Sequence, residues 1–534
     1  MKVQVLGFAS ILCVASAGLV RSALADGETP YLTVSDPGNC TLLVNGEAAA
    51  FGEIPYFEET VVKLVPNSGY EFIGWNGAVP FGTATNNPIT IKAGKVRTIS
   101  AFIRPYAAPQ KRTSTGQTAT WGTGWAWPNS KIPGPNDDVV LDGSKLTAPG
   151  FVTCRSLTIK NGGRLAIGAS VANVDVAGFR DSYALKGIEN SSVESASLLV
   201  QGDVILETGG QLAVCGQSWT ENRVFKSSPF RADVRIGGNL TITNPGSKFL
   251  ASAGPTNDDF TVAGGAGFVT VDGTISVGAG SSFILVSEWR TGGSVFVRAS
   301  SFELAEGGTV SADERGFAGT KISTELYLDS LAPGLGYGMM QGGGYGGAGY
   351  YASWSNPPSG YGTAYGSLIA PILPGAPGGC RGNQYWDEIA PGGGLVRIRA
   401  KSMSLAGTVS ANGSVDALKY YGGSGGGIWL TTSTKDLSFA QTVQLMAKGG
   451  NATYNRAHGG GGRIAITKNI NDETEKYMAE NGAFPKKRRV RDIDQFHEAY
   501  PGVTVDVSSP GGEANKGTFA YIDGTDYGLC IILR

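Results

Sequence analysis

Gly392-Gly393-Gly394-Leu395-Val396-Arg397-Ile398-Arg399, followed by Leu405-Ala406-Gly407-Thr408-Val409-Ser410-Ala411-Asn412-Gly413, sets the pattern of this chain. A glycine phrase opens into a short strand of alternating apolar residues, and a second short strand follows a glycine corner. The phrase returns as Gly425-Gly426-Gly427-Ile428-Trp429-Leu430, running to Met446-Ala447-Lys448-Gly449-Gly450, and again as Gly459-Gly460-Gly461-Gly462-Arg463-Ile464-Ala465-Ile466. A looser copy, Gly292-Gly293-Ser294-Val295-Phe296-Val297-Arg298, ends near Thr309-Val310-Ser311-Ala312. Repetition of strand, corner, strand means one coil of backbone laid on the next, since none of these short strands buries its apolar face alone.

The same grammar extends towards the N-terminus. Leu157-Thr158-Ile159 with Leu165-Ala166-Ile167, Val204-Ile205-Leu206 with Leu212-Ala213-Val214, and Val234-Arg235-Ile236 with Leu240-Thr241-Ile242 all alternate. Gly162, Gly209, Gly237 and Gly273 fall where the chain turns, which predicts positive φ at these corners. The reading is an all-β chain with a long right-handed parallel β-helix over residues 120–534. At roughly 20 to 30 residues per coil this gives about 13 to 20 coils and a rod roughly 60 to 95 Å long.

Composition bounds the alternatives. Of 534 residues, 81 are glycine, about twice the usual share, and 41% are hydrophobic, too many for a disordered polymer. Lys+Arg number 43 against 44 Asp+Glu, so no global field draws the chain to nucleic acid or to an anionic membrane. Lys2, the small and apolar run from Val5 to Val20, and Ala23-Leu24-Ala25 read as an export signal cleaved after Ala25. No later stretch approaches the roughly 20 apolar residues of a membrane span. Cys40, Cys154, Cys215, Cys380 and Cys530 are single and scattered, which fits buried small residues better than disulfides or a metal cluster.

Tyr31 to Arg104 has a separate character, with alternating Val61-Val62-Lys63-Leu64-Val65 and Ile89-Thr90-Ile91 around Pro66-Asn67-Ser68-Gly69-Tyr70-Glu71-Phe72-Ile73-Gly74-Trp75-Asn76-Gly77, closing on Ser100-Ala101-Phe102. This stretch resembles the B-repeat of internalin-type bacterial surface proteins, which implies a small extracellular β module serving as spacer or interaction unit. Tyr70, Phe72, Trp75 and Phe102 are expected to form its core. Residues 105–119, with Pro105, Pro109, Lys111 and Arg112, read as a linker. Trp121, Trp125 and Trp127 then read as a cap on the first coil, where a solenoid exposes an open core end; a sugar-stacking platform is the alternative.

The glycine-rich loops of residues 334–394 carry a second resemblance. Tyr345-Gly346-Gly347-Ala348-Gly349, Tyr365-Gly366-Ser367, Pro374-Gly375, Ser410-Ala411-Asn412-Gly413, Gly422-Gly423-Ser424-Gly425-Gly426-Gly427-Ile428-Trp429, Gly459 to Ile466 and Pro510-Gly511-Gly512 occur in an order similar to secreted glycine-rich parallel β-helix proteins of unsettled function. The chain departs from that pattern at Gly427, where serine is expected, and in a charged insertion at 468–500. The resemblance implies architecture and brings no catalytic residue.

Catalytic constellations are thin. Asn136-Asp137-Asp138, Asn257-Asp258-Asp259, His458-Gly459 and Arg463-Ile464 echo the paired acids and basic partners of β-helix pectin hydrolases, but in the wrong order and spacing. Asp258, Asp259, Asp272, Glu288, Asp313 and Glu314 are the acids from which a calcium-assisted lyase would have to be built, without an Asp-x-Asp-x-Asp loop. Two histidines, His458 and His497, give little material for a metal site or a triad. The glycine runs lack the Lys-Ser/Thr of a phosphate loop. Pro485-Lys486-Lys487-Arg488-Arg489-Val490-Arg491 reads as a solvated loop beside one short helix, with contact to an acidic glycan as the alternative.

Tyrosine and tryptophan offer apolar faces with polar edges, as sugar binding demands. Tyr345, Tyr350, Tyr351, Trp354, Tyr361, Tyr365 and Trp386 are therefore the candidate ligand residues. The sequence points to an exported, non-enzymatic structural or adhesive protein that binds glycan or cell-envelope material, with no metal or cofactor. The alternative is a polysaccharide lyase or glycoside hydrolase of the β-helix type.

Overall fold

The structure, a computed structural model, describes residues 31–55, 59–77, 87–92, 97–106, 108–148, 151–168, 195–214, 218–219, 225–226, 231–254, 267–318, 331–336, 341–351, 360–379, 390–414, 421–453, 457–485 and 489–525. The chain divides into two units, Met1–Ala108 and Pro109–Arg534.

The first unit holds two four-stranded sheets. In one the order is Gly52–Pro55, Tyr31–Val34, Arg97–Pro105, Tyr70–Gly77, and in the other Glu47–Ala49, Cys40–Val44, Glu59–Pro66, Ile89–Lys92. Alternation along Glu59–Pro66 turns Thr60, Val62 and Leu64 inward and Glu59, Lys63 and Val65 outward. The core differs from the aromatic one expected. Leu32, Val34, Leu42, Val62, Leu64, Ile89, Ile91 and Ile99 supply it with Trp75, and Phe72 packs from the side, 5.4 Å from the Trp75 ring centre. Tyr70 and Phe102 are half-buried and stand outside that cluster. Aliphatic branches on facing pleats fill most of the space, with Trp75 as the one buried ring and Phe51 and Phe72 partly buried against them.

The second unit is a parallel β-solenoid built on a 15-stranded and a 10-stranded sheet. It begins inside the stretch that reads as a linker: Lys111–Thr115 and Thr118–Thr120 are the first strands of the wide and narrow sheets, paired in parallel with Asp138–Asp142 and Lys145–Ala148. Every residue of Lys111–Thr115 is polar, and serine (Ser114) rather than an aliphatic residue takes the buried position in register with Leu141, which hides the periodicity. The narrow sheet carries ten strands, so the described residues form about ten coils spanning roughly 45 Å at 4.8 Å per strand. This falls short of the expected count because several coils carry long excursions, the longest between Thr309–Ser311 and its partner Thr408–Ser410.

Register turns sequence repetition into packing. On the wide sheet Leu141, Ile159, Leu206, Ile242, Val277, Leu304 and Leu405 lie each above the last, all buried. On the narrow sheet the corresponding column is Leu146, Leu165, Leu212, Phe249, Phe283, Val310, Val409 and Leu445. Phe249 and Phe283 stack 5.0 Å apart with their planes 18° from parallel. Both columns belong to one continuous core, in which Cys154 is also buried. Corners are tied from coil to coil by side-chain acceptors. Asp203 Oδ1 accepts from Asn239 N (2.7 Å) and Asn239 Oδ1 from Thr274 N (2.9 Å). At another corner Asp313 Oδ1 accepts from Asn412 N (2.6 Å) and Asn412 Oδ1 from Lys448 N (2.9 Å).

Both ends of the core are covered. At the first coil Trp121 and Trp127 are buried, their rings edge-on at 5.0 Å, and Trp127 Nε1 donates to the Trp121 carbonyl (2.9 Å). Trp125, read as a third member of that cap, is 61% exposed. At the last coils the charged insertion forms two helices where one was expected, α1 (Asp472–Asn481) and α2 (Ile493–Ala499). Asn471 and Asp492 cap their N-termini by accepting from Thr474 N and Gln495 N. The buried Phe496 of α2 packs among Phe439, Tyr500, Phe519 and Tyr521, with ring centres 5.1 to 5.6 Å away.

Helix α1, which precedes the basic run, is stapled to the outer face of the wide sheet, while Arg489 and Val490 within that run are exposed. Glu475 is buried and takes Arg397 Nη2 (2.9 Å) and Arg399 Nη1 (3.0 Å), while Asp472 also binds Arg399. The Arg397 guanidinium lies over Phe296 (3.9 Å) and Trp429 (4.7 Å), the residues that flank it in register. Lys486, Lys487 and Arg488 lie outside the described residues, and Arg491 pairs with Tyr521 as a two-bond antiparallel bridge.

The glycine corners answer two different demands. Gly162 and Gly209 have φ of 71° and 76°, as expected. Gly237 and Gly273 do not, and are held to glycine because a Cβ there would strike Gln201 O and Asn239 Oδ1. Close approach also governs the repeated phrases: a Cβ on Gly461 would run into the Val507 carbonyl. Gly461→Ala is expected to destabilise the solenoid by at least about 1–3 kcal/mol. Gly122→Ala, where a Cβ meets nothing within 4 Å, is expected to leave chemical denaturation unchanged. Equal midpoints for the two variants would contradict this reading.

Candidate functional site

The glycine-rich excursion is bound to the solenoid through its backbone. Gly346 N and Gly347 N both donate to Gly461 O (2.9 Å), Gly343 N donates to Gly422 O (3.0 Å), and Gly460 N returns a bond to Gly343 O (2.9 Å). Without side chains, segments outside any strand approach closely enough to exchange hydrogen bonds. Tyr345 interrupts this run and is fully buried. Its ring lies 4.8 Å from that of Tyr365 and 5.5 Å from the Arg463 guanidinium. Arg463 Nε donates to Tyr365 O (2.8 Å) and its Nη1 to Thr518 Oγ1 (2.9 Å), while the Tyr365 hydroxyl donates to Pro374 O (2.5 Å). Burial pushes both tyrosine hydroxyls well above their ordinary pKa and lowers that of Arg463.

Tyr345 and Tyr365 are thus internal anchors, with their faces spent on the protein itself. The same packing accounts for Gly427 in place of the expected serine. A Cβ there would strike the Leu395 side chain and sit 3.2 Å from the Tyr345 hydroxyl.

Beyond the anchors the chain emerges at Tyr350 and Tyr351, where a pocket of about 540 Å³ opens between residues 341–351, 360–363 and 514–515. Tyr350, Tyr351 and Tyr361 line it, so three of the seven sequence candidates meet at one place. Trp354 and Trp386 lie outside the described residues. The Tyr350 and Tyr351 rings are 6.0 Å apart and 18° from parallel, and Tyr350 is backed by the His458 ring at 5.8 Å. Tyr351 is 48% exposed and Tyr361 38%. These are flat apolar faces presented to solvent beside a cavity.

Two amides missed by sequence reasoning complete the site. Gln341 Nε2 donates to Tyr361 O (3.1 Å), and Gln341 bridges Tyr351 through the backbone, so one residue fixes both tyrosine-bearing segments. Asn515 Nδ2 donates to Ala348 O (2.8 Å) from the final coil. A carbonyl only accepts, so in each case the amide nitrogen must face it and the amide oxygen is the other end. Gln341 is only 6% exposed and its Oε1 has no hydrogen-bond partner among the described residues. Only folding brings Gln341 and Asn515 together, so no local signal marked them.

The described acids weighed for catalysis include several with structural partners. Asp137 accepts from Gly134 N (3.0 Å) and Gln110 N (3.1 Å), and Asp138 accepts from Ser156 and pairs with Arg155, tying the first coils together. Asp272 pairs with Arg235 (3.2 Å), and Asp313 serves the corner ladder. Asp258 and Asp259 lie outside the described residues, among which no group of three or more His, Cys, Asp or Glu is placed to hold a metal. Comparison of the chain with protein-family models, curated proteins and solved structures finds no match in any of the three.

Gln341→Ala is expected to speed hydrogen exchange across 360–363 while leaving the global unfolding midpoint within about 1 kcal/mol of wild type. Unchanged local exchange would show that Gln341 does not position Tyr361. A second expectation concerns Glu288, buried and accepting from Thr291 N (2.6 Å) and Thr291 Oγ1 (2.5 Å). Burial raises its carboxyl pKa above the ordinary value, so its stabilising contribution is complete in acid and lost as pH climbs through the raised folded value. Glu288→Gln should therefore gain stability relative to wild type as pH rises from 5 to 8, read as diverging melting curves. Parallel curves would contradict it.

Proposed function

We propose that this is an exported structural or adhesive β-solenoid protein whose pocket at Tyr350, Tyr351 and Tyr361 binds glycan of the cell envelope or its surroundings, without catalysis. The carrying observation is the convergence of three tyrosines with two oriented amides on a 540 Å³ pocket. That volume lies within the roughly 300–1,000 Å³ of small-ligand sites, which suits a short oligosaccharide segment. Tyrosine faces stack on the C–H faces of a pyranose while amide and hydroxyl groups meet its hydroxyls.

Export follows from the leader read in residues 1–25, and a surface setting from the likeness of residues 31–104 to internalin-type repeats. No helix among the described residues is long and apolar enough to cross a membrane. We take the coil to wind right-handed, in keeping with the general preference of parallel crossover connections, and to share its architecture with the secreted glycine-rich β-helix proteins that it resembles.

The test is a glycan array probed with the chain from residue 26 and with a Tyr351→Ala/Tyr361→Ala variant of equal thermal stability. The proposal expects specific glycan signals that fall at least about tenfold in the variant, the effect of losing about 1.4 kcal/mol of stacking. No glycan signal, or signals untouched by the double substitution, would refute it.

A further inference from the structure

We infer that the tyrosine pocket selects neutral sugars and discriminates against uronates and other anionic glycans. The inference rests on the glycan-binding reading above and adds the ligand's charge.

Its first ground is the wall of the pocket. Tyr350, Tyr351, Tyr361, Gln341, Thr363 and Asn515 supply the polar and aromatic atoms, the other described lining residues are alanine or glycine, and none of them is charged. Two described cations have other partners. Arg463 is committed to Tyr365 and Thr518, and Lys516, next to Asn515, sits 3.5 Å from Glu513. A carboxylate entering this pocket loses hydration with no opposite charge to meet it.

The second ground is the direction of the amides. Gln341 and Asn515 each give their nitrogen to a protein carbonyl, Tyr361 O and Ala348 O, which leaves amide oxygens as the ends not used in those bonds. The Gln341 oxygen is a buried acceptor with no hydrogen-bond partner among the described residues. Acceptors of this kind complement hydroxyl groups, which donate, and oppose carboxylates and sulfates, which only accept. Stacking faces, acceptor ends and absent charge all favour the same ligand chemistry. Sequence alone allowed the opposite, since the Lys- and Arg-rich run at 486–491 invited an acidic glycan.

The experiment is calorimetry on the chain from residue 26 with matched-length oligosaccharides, neutral hexose against uronate, at low and high salt. Neutral oligosaccharides should bind at least about tenfold tighter, with an affinity that is flat in salt and is lost in Tyr351→Ala and Tyr361→Ala proteins of unchanged melting temperature. Uronates that bind equally or better through the same tyrosines would overturn the selectivity and leave the glycan-binding reading standing. Failure of both oligosaccharide classes on a folded protein would overturn the two together. Uronate binding that weakens steeply with salt and ignores the tyrosine substitutions would place the ligand elsewhere and overturn the inference.

Discussion

Close approach of backbone to backbone is the constraint on which this structure rests. A parallel solenoid repeats its coils at the spacing of neighbouring strands, and within the two sheets side chains stand clear of the ladder. Where a further segment is laid against the coils, the contact is main chain on main chain and leaves no volume for a Cβ. The phrases at Gly342–Gly349, Gly422–Gly427 and Gly459–Gly462 meet in this way, and their amides and carbonyls satisfy one another. Most of these glycines have ordinary φ, so their composition reports crowding more than unusual turns.

That constraint places the candidate site. Tyr345 is driven into the flank and locked under Arg463, and five residues on the chain reaches the surface with Tyr350 and Tyr351 side by side. Gln341 and Asn515 then tie the excursion and the last coil around one cavity. A site on a loop is ordinarily less well defined than one on a strand. Here the loop borrows order from the coils beneath it.

Strand identity and stacking direction were legible because inward columns such as Leu206, Ile242 and Val277 must be apolar and lie a fixed distance from a corner. The first coil was not, since Lys111–Thr115 is an outer strand of polar residues that reads as a linker. Aromatic content flagged the excursion but not the division of labour within it. Tyr345 and Tyr351 are the same residue type in the same low-complexity setting, and only the room left by Gly427 and the grip of Arg463 make one an anchor and the other a surface. The charged insertion misled in the opposite sense. Glu475 looks like any solvated acid in sequence, yet it is buried against two arginines, one of which, Arg397, is itself held between Phe296 and Trp429. Such long-range pairings leave no periodic trace.

Hydrogen exchange followed residue by residue over the glycine phrases tests the account most directly. Amides of Gly346, Gly347 and Gly460, which donate to carbonyls of neighbouring segments, should be protected to a degree comparable with those of the strand Arg463–Lys468. Exchange of these glycines at the rate of a free loop, while the strand stays protected, would show that the excursion is not docked and that the pocket it carries has no fixed form.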